Sequence, residues 1–155
     1  VPVGGADKVS TFIALLQGQK LRLACLLDTF LDNKSKSRID DLIREKIIKK
    51  RNVRFYSEFC GGNVKFADLE DLFEPDEYLK MFNAAFDEHS DLLVSDLVSQ
   101  KPRIIEKISD ALKVKRYNHH RPANYLATLG VGSDYFDEKT LERFETMFRE
   151  INKLF

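Results

Sequence analysis

The chain predicts an α/β fold in which a parallel sheet flanked by helices is followed by a helical C-terminal half. Three observations predict it. The run LRLACLLD sets seven residues without a breaker before Asp28, the pattern of a buried strand. Strand-like and helix-periodic stretches alternate through residues 1–66, which points to parallel strands joined by crossover helices. From Pro75 to Phe155 the apolar residues recur at helical spacing. At 155 residues the two parts make one domain: an α/β core over 1–66, and an acidic motif with a helical part over 67–155.

Each element has its own signal. Val1-Pro2-Val3 reads as the last turn of a strand, so a partner strand upstream and an excised fragment are expected. Gly4-Gly5 opens a helix over about 7–17, with Val9, Phe12, Ile13 and Leu16 on one face. Leu21–Leu27 is the strand that ends at Asp28. A polar loop from Asp32 to Ser37 leads into a helix to about Lys50, where Ile39, Leu42, Ile43 and Ile47 keep the period. Val53–Phe59 reads as a further strand, Gly61-Gly62-Asn63 as a turn and Val64–Phe66 as a short extended piece. Pro75 suits the first turn of a helix that carries Tyr78, Leu79, Phe82, Ala85 and Phe86. Pro102 starts another, with Ile104, Ile105, Ile108 and Leu112, and the last runs from about Asp137 to Phe155.

Composition narrows the function classes. Lys and Arg number 25 and Asp and Glu 25, a balance that argues against a generic nucleic-acid glue. The balance hides blocks. Residues 17–65 hold 12 basic and 6 acidic side chains, 66–100 hold 1 and 10, and 101–129 hold 7 and 2. An acidic centre between basic flanks suits a metal-dependent enzyme acting on a polyanion, although solvated helix faces segregate in the same way. No stretch approaches the length of a bilayer span and no signal peptide is read, so no membrane partner is expected. Cys25 and Cys60 form neither a disulfide framework nor a zinc knuckle, which points to a reducing cytoplasm. No GxxxxGK[ST] stretch occurs, so ATP is not held here through a P-loop.

Asp28 is the first candidate for chemistry, because ligands of open α/β sheets gather past the carboxyl ends of the strands. With Asp32 it could share a hard cation; the plain alternative is a loop cap and a solvated acid. Asp68, Glu70, Asp71 and Glu74 form a second acidic group, of which Glu70 and Asp71 can face the same edge. Asp76 and Glu77 read instead as complements to a helix dipole. Basic candidates are Lys34, Lys36 and Arg38 beside the Asp28 loop, and Lys115, Arg116, His119, His120 and Arg121 later. Adjacent histidines do not share a helix face, so His119-His120 is no metal pair by spacing.

Four stretches in this order resemble the C-terminal topoisomerase-primase (Toprim) domain of OLD-family ATP-dependent nucleases, a group that includes the Gabija A type of anti-phage protein. They are VPVGGADKVSTFIALL, LACLLDTFLDNKSK, ADLEDLFEPDEYL, and YNHHRPANYL with EKTLERFETMFREINKLF. The resemblance implies a Toprim-like fold and a DNA endonuclease site dependent on Mg²⁺ or Mn²⁺. It implies an upstream ABC-type ATPase domain, through which alone ATP would enter, and it allows a homodimer. Asp28 would be the first aspartate of the family's DxD and a metal ligand, with Asp32 an off-register second. Glu70 or Asp71 would be the later acidic ligand. His119, His120 or Arg121 would stand where the family has a phosphate-binding lysine, and Lys34, Lys36 and Arg116 would join in holding DNA. Two departures stand out. Phe30 replaces the second aspartate of DxD, and the family's first-strand glutamate would precede Val1. This polypeptide by itself is therefore expected not to cleave DNA. Two further readings are a Toprim-like DNA-binding or assembly module with a degenerate site, and a small-molecule α/β enzyme or phosphotransfer receiver.

Overall fold

A computed structural model describes residues 6–17, 21–29 and 33–155. Within them the chain is a mixed α/β protein with a two-stranded parallel sheet and six α-helices. The expected strand at Val1–Val3, the glycine pair, Phe30 and Asp32 lie outside the described residues.

Helix α1 (Ala6–Gln17) precedes strand β1 (Cys25–Leu27), and α2 (Asn33–Arg44) crosses over to β2 (Val53–Phe55). Cys25, Leu26 and Leu27 pair with Val53, Arg54 and Phe55. Val9 and Ile13 of α1, Leu27, Ile39 and Leu42 of α2, Ile48 and Val53 are buried together, so both helices pack on this short sheet.

Both strands are shorter than the apolar runs suggest. Residues 21–24 lead into β1 without joining the ladder. β2 stops at Phe55 because the Glu58 carboxylate folds back to accept the Phe55 N–H at 2.7 Å and to pair with Arg54 Nε at 2.7 Å. The chain tightens there into a 3-10 turn, Tyr56–Glu58. Helix α2 likewise ends at Arg44 rather than near Lys50. Its last carbonyls are satisfied by Lys46 N–H to Ile43 and Ile47 N–H to Leu42, with Lys46 in the left-handed region at φ 57°. Residues 64–66 form no strand.

The second half begins with a 3-10 turn, Leu69–Leu72, followed by α3 (Pro75–Ala85), α4 (Ile104–Ala111), α5 (His120–Leu129) and α6 (Glu138–Asn152). Tyr78, Leu79, Met81, Phe82, Ala85 and Phe86 from α3 and its end meet Ile104 and Ile108 of α4 in one core. Phe59, Cys60, Ala67, Leu72 and Met147 form a smaller core that ties α6 to the first half. Helix α6 also holds the acidic segment. Arg143 donates to the Leu72 carbonyl, Thr140 Oγ1 accepts from the Glu74 N–H, and buried Glu77 accepts from the Asp137 N–H and the Thr140 hydroxyl. No helix among the described residues is long and apolar enough to cross a membrane.

Helix α4 ends like α2, with Lys113 at φ 57° and the Val114 N–H reaching the Ser109 carbonyl, whereas α5 uses Gly130 for the same conformation. A Cβ in the left-handed region is strained and glycine is not. Lys113→Gly is therefore expected to raise the unfolding free energy by about 0.5–1 kcal/mol, read from urea midpoints at unchanged slope.

Candidate functional site

Asp28 follows β1 directly and is exposed at the carboxyl end of the parallel pair. The next residue fixes its loop. The Thr29 N–H donates to the Ala67 carbonyl at 3.0 Å, and Thr29 Oγ1 donates to Ser57 Oγ at 2.9 Å. The end of β1, the turn after β2 and the start of the acidic segment thus meet at one edge.

The acidic segment divides its labour. Asp71 spends both carboxylate oxygens on backbone, accepting from the Asp68 N–H and from the Ile104 N–H at 2.8 Å each. It clips the 3-10 turn to the first residue of α4. Asp68 is buried, and Arg103 Nη1 lies 2.9 Å from its Oδ1. That approach lacks hydrogen-bond alignment, so Asp68 Oδ1 is buried without a hydrogen-bond partner among the described residues, and Arg103 Nε is buried without one as well. Arg103 Nη2 donates instead to the Thr29 carbonyl. Arg103 therefore bridges the Asp28 loop and the acidic turn.

Glu70 faces the other way. Its Oε1 lies 2.6 Å from His119 Nδ1, and His119 Nε2 lies 3.1 Å from Arg116 Nη2. A guanidinium only donates, so Nε2 accepts and the imidazole proton sits on Nδ1, toward Glu70. Tyr78 and Tyr117 hydroxyls, 3.3 Å apart, stand behind this pair.

The electrostatics mark one acidic focus. Asp28 is open to solvent, yet the protein atoms around its carboxylate strip part of its hydration; that loss, then repulsion from Glu70, raises its pKa against the pull of Arg103 and His119. Burial is also the main cause for Asp68, where Arg103 opposes and Asp28, Asp71 and Glu70 add; its carboxyl is pushed up to about 7. Burial raises Tyr56 too, and Asp28, Glu70 and Asp68 push it further. Three carboxylates from two segments, Asp28, Asp68 and Glu70, thus feel one another. Burial pushes the Cys60 thiol up to about 11 and raises Cys25 as well, which disfavours the thiolate at both.

Asp68 has a measurable consequence. Its folded pKa lies above the ordinary 3.8, so between those values the native state holds more protons than the unfolded one. Its contribution to stability is full below about pH 4 and is lost as pH rises through 7, opposite in sign to a carboxylate whose ion pair outweighs its burial. A carboxyl ¹³C titration is expected to place the Asp68 midpoint near 7, and a midpoint at 4 would mean that burial does not outweigh the pull of Arg103.

The sequence-derived candidates distribute unevenly. Asp28, Glu70, His119 and Arg116 converge, and Asp71 is beside them as a clip. Lys34 and Lys36 are exposed on the first turn of α2, which starts five residues after Asp28 at the same edge. His120 is exposed and its ring centroid lies 4.3 Å from that of His119. Arg121 is drawn off to Glu88, which accepts both of its terminal nitrogens, and lies over the Phe86 ring at 4.5 Å. Arg103 and Tyr56 join the site without having been singled out for it, and Asp68 joins it from the second acidic group. For Arg103 the sequence carries no signal beyond a charge after Pro102.

Among the described residues no three His, Cys, Asp or Glu side chains are grouped to hold a metal ion as they stand. Carboxylate oxygen is the donor type a hard cation takes, but Asp68 Oδ1 has Arg103 Nη1 at 2.9 Å and Glu70 Oε1 has His119 Nδ1 at 2.6 Å, so a cation would have to displace both partners. No protein-family model, no curated protein and no solved structure matches the chain.

Proposed function

We propose that the chain is the Toprim-type nuclease part of an OLD-like ATP-dependent endonuclease, acting on DNA by metal-assisted phosphodiester hydrolysis. The observation that carries this reading is the crowding of Asp28, Asp68 and Glu70 at the carboxyl end of parallel strands, with Arg103, Arg116 and His119 around them. Asp28, Asp68 and Glu70 would hold Mg²⁺ or Mn²⁺, which supplies an activated water and charge stabilisation when bound. Arg116 and the α2 lysines Lys34 and Lys36 offer positive charge for DNA phosphates beside the acids. His119, with its proton toward Glu70, keeps Nε2 as the acceptor for a proton once Arg116 turns to phosphate. A further carboxylate is needed to complete the ligand set, and in this reading it belongs to the strand that pairs upstream, with the ATPase domain beyond it.

The second reading, a DNA-binding or assembly module with a degenerate site, is favoured by one observation. Asp68 and Glu70 are already countered by Arg103 and His119. Plasmid nicking by a polypeptide carrying the proposed upstream domain, in Mn²⁺ and in EDTA, separates the two. Nicking only with Mn²⁺ supports the nuclease. DNA retention that persists in EDTA and weakens steeply with salt, with no nicking, supports the module.

A further inference from the structure

At the opposite end of the strands lies a second charged feature. A cleft of about 540 Å³ opens where the approach to β1, the loop between α2 and β2, and the end of α6 meet. Five cationic side chains line it: Arg22, Lys46, Lys49, Arg51 and Lys153. No Asp or Glu is among the described residues that line it. Lys153 is paired with Glu150 at 2.6 Å, and Arg22 donates to the Phe155 carbonyl. Lys46, Lys49 and Arg51 are exposed and have no acidic partner among the described residues.

Two features argue that this is more than a solvated face. The wall is ordered, since Asn52 Nδ2 donates to the Leu23 carbonyl at 2.6 Å and joins the two chain segments that carry the cations. Ile48, between Lys46 and Lys49, is buried in the core with Leu27 and Val53, which anchors the segment that carries the cations. Like charges gathered in a concavity repel one another and raise the local concentration of a multivalent anion. The Arg51 guanidinium fork matches phosphate oxygens in pairs, and Lys46 and Lys49 serve as point charges beside it.

We infer that this cleft binds an oligophosphate, pyrophosphate or longer, either free or carried on a nucleoside. The site is separate from the Asp28 edge and does not depend on the nuclease reading.

Calorimetry and thermal shift on this chain at about 0.1 M salt test it, with tripolyphosphate, ATP and adenosine as probes. Tripolyphosphate is expected to bind and raise the melting temperature, and adenosine is not. ATP binding as tightly as tripolyphosphate assigns the phosphates as the recognised group; ATP binding tighter assigns a nucleotide. Lys49→Ala and Arg51→Ala should each weaken binding about 10-fold. Lys46→Gly guards against a folding artefact, because it should raise stability while still weakening binding. Lys80→Ala, on α3 and outside both sites, should leave affinity unchanged. Silence of tripolyphosphate at millimolar concentration, equal binding by the Lys49 and Arg51 variants, or binding of adenosine alone overturns the proposal. So does an oligonucleotide that binds through these residues while tripolyphosphate fails to compete with it.

Discussion

Asp28→Ala is expected to lower Mn²⁺-dependent nicking by the longer polypeptide about 100-fold or more and to leave the fold intact. The two halves of that expectation come from the same geometry. Asp28 is exposed, accepts no backbone hydrogen bond from the described residues, and has its pKa raised by its surroundings. Removing it relieves repulsion on Asp68 and Glu70, so thermal stability near pH 8 should hold or rise. Asp71→Ala makes the contrast. It strips the acceptor from the Asp68 and Ile104 N–H groups, so activity and stability should fall together. The chain in hand gives an independent readout, since Mn²⁺ should broaden the amide signals of Asp28 and Glu70 and spare those of Lys46 and Lys49. Wild-type nicking by the Asp28 variant would remove this residue from the site.

Part of this arrangement is legible in the sequence, and the reasons are local. The run before Asp28 is apolar and unbroken, so a strand and its functional end follow from pattern alone. The α3, α4 and α6 stripes are equally clear, because helical periodicity survives whatever the helix packs on. What pattern misses is decided by side chains that bond backwards. Glu58 ends β2 by capturing the Phe55 N–H, although Val53–Phe59 keeps strand-like composition. Helix α5 hides behind Pro122. Proline at the third helical position is tolerated, because the first four N–H groups of a helix have no internal partner. Glu70 and Asp71 are neighbours of similar charge, and only the fold assigns one to His119 and the other to two backbone amides. Arg103 is the deepest omission. It reaches Thr29 across 74 positions in sequence, and no spacing rule spans that distance.

Phe82→Ala is expected to cost about 3–5 kcal/mol of stability. Phe82 is fully buried in α3. Its ring stacks on Phe86 at 4.6 Å and meets the edge of Tyr117 at 5.1 Å, so truncation removes aromatic contacts from two directions and leaves a cavity. Tyr117 stands between Arg116 and the Asn118-His119 pair, and it is held by Phe82, Phe86 and the Tyr78 hydroxyl. Loosening it loosens the segment that brings His119 to Glu70. A drop in the denaturation midpoint should therefore come with a weakened Glu70–His119 contact, seen as a change in the His119 ring ¹⁵N shifts toward those of a free imidazole. Phe82→Leu fills most of the volume and should cost less, about 1–1.5 kcal/mol, with those shifts near wild type. Equal midpoints for both variants would mean that the α3 core does not carry the loop. A large loss of stability with unchanged His119 shifts would mean that the site is held from the Arg103 side alone.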